Sequence, residues 1–198
     1  MTLIDQVRSS LGEVGYALRR PEEFSLRWRD TPDDPRWAAV TGVLIVNAIV
    51  GLAVYGLTLG LHGGASLMLA SAGKAPLATG LAWCIGLPAL HILNSVFGSR
   101  LDARTTFLAA LTTVSFGSLA MLASVPINWF FALVLPYPWV RVVVNGVIFA
   151  GVGVCMADVF LRVMKALEPE RNRVFAFVWL CLVAVIGLEL MFLFNLFH

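Results

Sequence analysis

The chain begins with a short mixed stretch and then turns apolar in long blocks. In residues 1–20, Leu3, Val7, Leu11, Val14 and Leu18 recur at spacings of four and three, which puts them on one face of a helix. Gly12 and Gly15 weaken that helix. The Arg19-Arg20-Pro21 step ends it, because the residue before a proline is pushed out of the α region. Two settings suit such an amphipathic helix: the headgroup layer of a membrane, or the cytoplasmic loops of its own protein. Residues 21–36 are polar, with prolines at positions 21, 32 and 35, and read as a surface segment. Trp28 and Trp37 are suited to the membrane boundary, which indole rings favour.

From Trp37 onward charge nearly disappears. Apolar blocks follow at about 37–61, 76–97, 105–133, 142–161 and 174–197, each near or above the roughly 20 residues a helix needs to cross the hydrocarbon core. Between the first two blocks, the glycines and Pro76 of HGGASLMLASAGKAP predict a turn, with SLMLASA a candidate short interfacial helix. Pro88 interrupts the second block and frees the carbonyl of Cys84, which predicts a kink. Pro126 interrupts the third block. The residues after it are too few to cross again, so one kinked span is expected. PYPW at 136–139 reads as a turn, and the charged end LRVMKALEPERNR is expected to carry the fourth helix into the cytoplasm before Pro169. The fold class that follows is all-α: a polytopic transmembrane helical bundle. It divides into a cytoplasmic segment, 1–36, with a short N-terminal amphipathic helix, and a five-span domain, 37–198.

Composition agrees. Hydrophobic residues make up 59% of the chain and charged ones 13%, against about 25% charged in soluble domains. The mean hydropathy is +0.85. A net charge of +2 gives no basic surface for nucleic acid. The first 36 positions lack the apolar core of a signal peptide, so the mature chain is expected to begin near Met1.

Charge placement sets the orientation. With the N-terminus inside, Arg8, Arg19, Arg20, Arg27, Arg29, Arg36, Arg100, Arg104, Arg162, Lys165, Arg171 and Arg173 are cytoplasmic. Of the 14 basic residues only Lys74 and Arg141 then lie outside. The positive-inside rule favours that arrangement, with the C-terminus on the far side. A multi-pass protein of the inner cell membrane is the expectation.

Polar residues inside the spans are the candidates for function. Asp158 and Arg162, four apart, share a helix face near the cytoplasmic boundary and read as an interfacial ion pair. Glu189 lies in the fifth span, toward the outer side. A carboxylate in hydrocarbon costs about 2.5–3.5 kcal/mol on insertion scales. It is therefore expected to pair with Lys74 or Arg141 or to hold a proton. Structural use and a proton or solute site are both open to it. His91, Asn94 and Ser95 share one face of the second span, and Asn47 sits near the middle of the first. Such groups commonly hydrogen-bond between helices.

Small residues offer packing faces. Gly56 and Gly60 form a GxxxG pair, and Gly146 with Ala150 and Gly153 with Ala157 repeat the spacing in the fourth span. They let backbones approach closely, either within the bundle or against a partner. Cys84, Cys155 and Cys181 lie in apolar blocks without metal spacing and are expected to pack between helices as small hydrophobes. No metal or cofactor site is expected. HExxH, GxSxG and Walker A sequences are absent. Thr112, Thr113, Ser115 and Ser118 are expected to bond their own helix backbone.

Three features together resemble the prokaryotic branch of the Yip family, the Ypt/Rab-interacting membrane proteins. They are the N-terminal LRRPEEFSLRW, the five spans with the N-terminus inside, and the loop SVFGSRLDARTTFLAAL leading into a span that breaks at Pro126. The acidic tyrosine motif of the eukaryotic members is missing, so Rab binding is not implied. The resemblance implies a non-enzymatic protein of membrane organisation or protein partnership and supplies no catalytic residues.

Three functions follow for testing. The first is a membrane scaffold, adaptor or accessory subunit, in contact with the lipid bilayer and with other membrane chains or copies of itself. The second is an oligomeric transporter or channel component, built on Asn47, His91, Asn94, Asp158 and Glu189. The third is a lipid-acting enzyme, which requires Asp158, His91 and Arg100 to meet.

Overall fold

A computed structural model describes residues 12–31, 34–96, 101–135, 137–170 and 173–196. They form helices α1 (12–19), α2 (Pro21–Asp30), α3 (Trp37–Leu59), α4 (Gly64–Val96), α5 (Ala103–Val134), α6 (Pro138–Leu167) and α7 (Arg173–Leu193). Helices α3 to α7 are each long and apolar enough to cross a membrane. The five-span bundle is therefore the architecture.

Helix α4 departs most from its expected limits. Helix α4 begins at Gly64 and passes unbroken through both Pro76 and Pro88, where a turn was expected around Pro76. The turn that does form is earlier, a single 3-10 turn at Leu61–Gly63 followed by Gly64. Gly64 adopts φ +78°, a left-handed conformation that only glycine takes at no steric cost. Thirty-three residues of helix reach about 50 Å, so α4 is longer than the hydrocarbon core is thick. Helix α5 likewise continues through Pro126 to Val134, as one span. Asp102 caps its start, its carboxylate accepting from the Thr105 amide at 3.0 Å. Helix α6 runs to Leu167, continuing past the apolar block and stopping before Pro169, as expected.

The helices pack as a ring, α3 on α5, α5 on α6, α6 on α7, α7 on α4 and α4 back on α3. Packing around the ring is uneven. Helix α3 is clamped on both sides. An added Cβ at Gly51 would come 2.5 Å from the Ser118 carbonyl oxygen on α5, and one at Gly56 the same distance from that of Ser71 on α4. Half of the central window of α5 is buried, but only 17% of that of α7.

The N-terminal segment belongs to the bundle. Val14 and Ala17 of α1 and Phe24 and Trp28 of α2 are buried with Val40, Leu44, Leu108 and Leu111. Trp28 is thus a core residue and not an interface anchor. Arg162 of α6 ties down Glu22 at 2.6 Å, and Arg29 donates to the Leu167 carbonyl at 3.4 Å. The described part of the amphipathic helix packs on its own protein, against the ends of spans α3 and α5 and not on loops. Arg104 lies over the Trp37 ring at 4.3 Å, a cation–π contact at the same end.

Candidate functional site

A lateral cleft of about 790 Å³ is lined by all five spans. Leu52 of α3, Trp83 of α4, and Val114 and Met121 of α5 form its floor. Helices α6 and α7 form its walls, with Gly146, Ala150, Gly153 and Ala157 on one and Phe177, Cys181, Ala184 and Leu188 on the other. Helical periodicity explains the first wall: positions 146, 150, 153 and 157 fall on one face. Cβ atoms added to Gly146 and Gly153 would meet nothing within 4 Å. Gly146, Ala150 and Gly153, expected as packing positions, are exposed and not packed within the chain, while Ala157 is half-buried. Val154 and Phe177 at the rim are exposed, so the cleft opens sideways, toward lipid.

A plug of aromatic rings closes the end nearer the basic residues. Trp179 of α7, only 1% exposed, packs against Trp83 at 5.4 Å and Phe160 at 4.9 Å. Its indole N–H donates to the Gly86 carbonyl at 2.8 Å. One side chain therefore joins α4, α6 and α7; beyond it α7 stays against α4 at Val183 and Gly187, and the cleft lies between α6 and α7.

The polar candidates go elsewhere. The Asn47 amide donates to the Ser115 hydroxyl at 2.7 Å and the Ser115 carbonyl at 3.1 Å, while the Ser118 hydroxyl donates to the Asn47 carbonyl at 3.2 Å. This cluster lies beside the close approach at Gly51 and fastens α3 to α5. Ser118 and Thr113 also bond their own helix, to the carbonyls of Ser115 and Ala109. Thr112, expected to do the same, has a buried hydroxyl with no partner among the described residues.

Asp158 and Arg162 form the expected pair, at 2.9 Å, exposed at the basic end. The same guanidinium holds Glu22. At 48% exposure of the Arg162 side chain such bonds contribute about 0–1 kcal/mol. The Ser95 hydroxyl donates to the His91 carbonyl at 3.0 Å. The His91 Nδ1 is buried without a partner among the described residues. The side chain of Asn94, and all of Arg100, lie outside the described residues. Asp158 and His91 share no hydrogen bond among the described residues.

Glu189 is exposed on α7, and among the described residues it takes part in no ion pair. Neither Lys74 nor Arg141 forms an ion pair with it, so the pairing, one of the two expectations for this residue, does not form among the described residues. The three cysteines are also exposed and do not pack between helices as expected. Cys181 lines the cleft. No group of three His, Cys, Asp or Glu able to hold a metal occurs among the described residues.

One network went unrecognised in the sequence. The Tyr55 hydroxyl donates to Asn145 Oδ1 at 2.6 Å, and the Asn128 amide donates to the Thr58 hydroxyl at 2.7 Å. The Asn145 amide in turn donates to the Arg141 carbonyl at 2.8 Å. Thr58, Asn128, Arg141 and Asn145 surround a polar cavity of about 20 Å³, the size of a single water. This cluster joins α3, α5 and α6 at the end opposite the basic residues. Asn128 and Asn145 are amides inside apolar blocks, the same signal that singled out Asn47.

Compared with protein-family models, with curated proteins and with solved structures, the chain matches none.

Proposed function

We propose that this protein is a non-enzymatic membrane scaffold or accessory subunit, Yip-like in organisation, which receives an apolar transmembrane segment of a partner protein in the lateral cleft. One observation carries the reading: a small-residue face on α6, suited to close helix contact, is left open by the chain's own packing. Helices associate in lipid by van der Waals fit and close backbone approach, because lipid tails are as apolar as leucine. A wall of glycine and alanine provides that fit.

The polar residues argue in the same direction. A solute path needs them to converge. Asn47 is bonded within the α3–α5 contact, Asp158 is paired at the basic end, and the cleft itself is walled by apolar side chains.

A photocrosslinking residue at Ala150, in chain purified under mild detergent, tests the proposal. A stoichiometric protein adduct, lost on Gly153→Leu, is the expected result. Adducts to lipid alone, from a chain that purifies without a partner, overturn it.

A further inference from the structure

Helix α7 has three distinct sides. Ala176, Trp179 and Val183 pack into the core with α4. Phe177, Cys181, Ala184 and Leu188 line the cleft. The third side carries Val178, Leu182, Val185, Glu189 and Leu193, all exposed. Their spacings of four, three, four and four form a continuous stripe along one side of the helix. By helical periodicity this stripe lies about 110° around α7 from the side that lines the cleft.

The position of Glu189 within the membrane follows from the contacts between helices. Gly187 faces Ala82 of α4, where an added Cβ would be 3.7 Å away, and Gly56 of α3 faces Ser71 and Ala75 of the same α4. Counting along these antiparallel pairs places Glu189 level with Gly80, and thereby with the middle third of α3. The sequence had suggested a place nearer the outer boundary. An exposed carboxyl at mid-span, without a partner among the described residues, is the feature of this face that lipid cannot satisfy.

We propose that this stripe is a homodimer interface, in which two copies meet along α7 about a two-fold axis normal to the membrane and their Glu189 carboxyls hydrogen-bond across the axis. A two-fold axis in that direction sets each residue opposite its own copy at equal depth. A protonated carboxyl both donates and accepts, so it is complementary to a second carboxyl. A foreign helix would have to bring its own polar group to the same level. Val178, Leu182, Val185 and Leu193 supply the apolar contact on either side. The interface is separate from the cleft, so its failure would leave the partner-helix reading standing.

The test uses the full chain in phospholipid bilayers, with dimerisation read by single-molecule photobleaching and folding checked by thermal melt. Glu189→Gln keeps a donor and an acceptor and is expected to keep the dimer. Glu189→Leu is expected to weaken dimerisation about tenfold, the size of a good interhelical hydrogen bond in lipid. In a background with Cys84, Cys155 and Cys181 replaced by serine, Leu182→Cys and Val185→Cys are expected to form interchain disulfides, and Ala184→Cys and Leu188→Cys not to. A monomeric chain overturns the proposal, as does dimerisation indifferent to Glu189→Leu or crosslinking confined to 184 and 188. Loss on Glu189→Gln equal to that on Glu189→Leu also overturns it, by showing that the contact needs the negative charge and not a carboxyl pair.

Discussion

On α3, Gly56 and Gly60 bring the backbone so near α4 that an added Cβ would meet the Ser71 and Leu67 carbonyl oxygens at 2.5 Å. On α6, Gly146 and Gly153 sit in the same type of small-residue pattern, yet an added Cβ meets nothing within 4 Å. The first half of the membrane domain is thus closed by backbone approach and by buried amides. The second half is held by a plug around Trp179 and is open beyond it. Small residues alone do not say which of these will happen. The neighbour decides: α4 follows α3 after a single tight turn and runs back along it, while α6 and α7 diverge on either side of the plug.

Removing the plug should have the largest effect. Trp179→Ala is expected to destabilise the chain by about 3–5 kcal/mol, as for other buried aromatic truncations, and to separate α7 from α4 and α6. A thermal melt in detergent, with accessibility of Cys181 to a thiol reagent, checks it. An unchanged melt would mean that the open half does not depend on that ring.

Gly56→Leu comes next. The side chain has no space against the α4 backbone, and overpacking of this kind costs about 1–3 kcal/mol. Its melting temperature should fall clearly below that of wild type. Tyr55→Phe removes the hydroxyl that binds Asn145 and should cost about 0.6 kcal/mol, with an upper bound near 1.7 kcal/mol, as for other interhelical bonds in lipid. Equilibrium unfolding in mixed micelles would measure it. Gly153→Leu, on the open half, should change stability by no more than about 0.5 kcal/mol while abolishing crosslinking from Ala150. If Gly56→Leu and Gly153→Leu proved equally destabilising, the contrast between the halves would be wrong.

The smallest effect belongs to the basic end. The Arg36 side chain and amide both bond the Asp34 carboxylate, at 2.7 Å for the closest contact, and hold its pKa down to about 2. A carboxyl depressed in the folded state contributes stability above its ordinary value of about 4, and that contribution is lost as pH falls toward 2. The pair is exposed, so a small decline is expected across that window and should vanish in Asp34→Asn. Melts at stepped pH would show it.

Much of this architecture was legible in the sequence because bilayer physics leaves few choices. Apolar blocks of sufficient length must become helices that satisfy their own backbone, and Asp158–Arg162, set four apart on one helix, needed no tertiary information. The limits of α4 were misread because Pro76 and the glycines around it carry strong turn signals, which a helix packed against α3 overrides. The Tyr55–Asn145 and Asn128–Thr58 bonds join residues far apart in the chain. No local spacing encodes such pairs.

The chain's own pattern therefore determined five spans, their basic end and the polar residues that would need partners. Tertiary structure decided which of those partners lie within the chain. Asn47 found Ser115 because α3 and α5 approach closely at Gly51, where small residues allow the backbones to touch. Glu189 found none among the described residues, because α7 is turned so that this side faces away from the bundle, and helix rotation is set by packing between elements, which periodicity along one segment cannot fix.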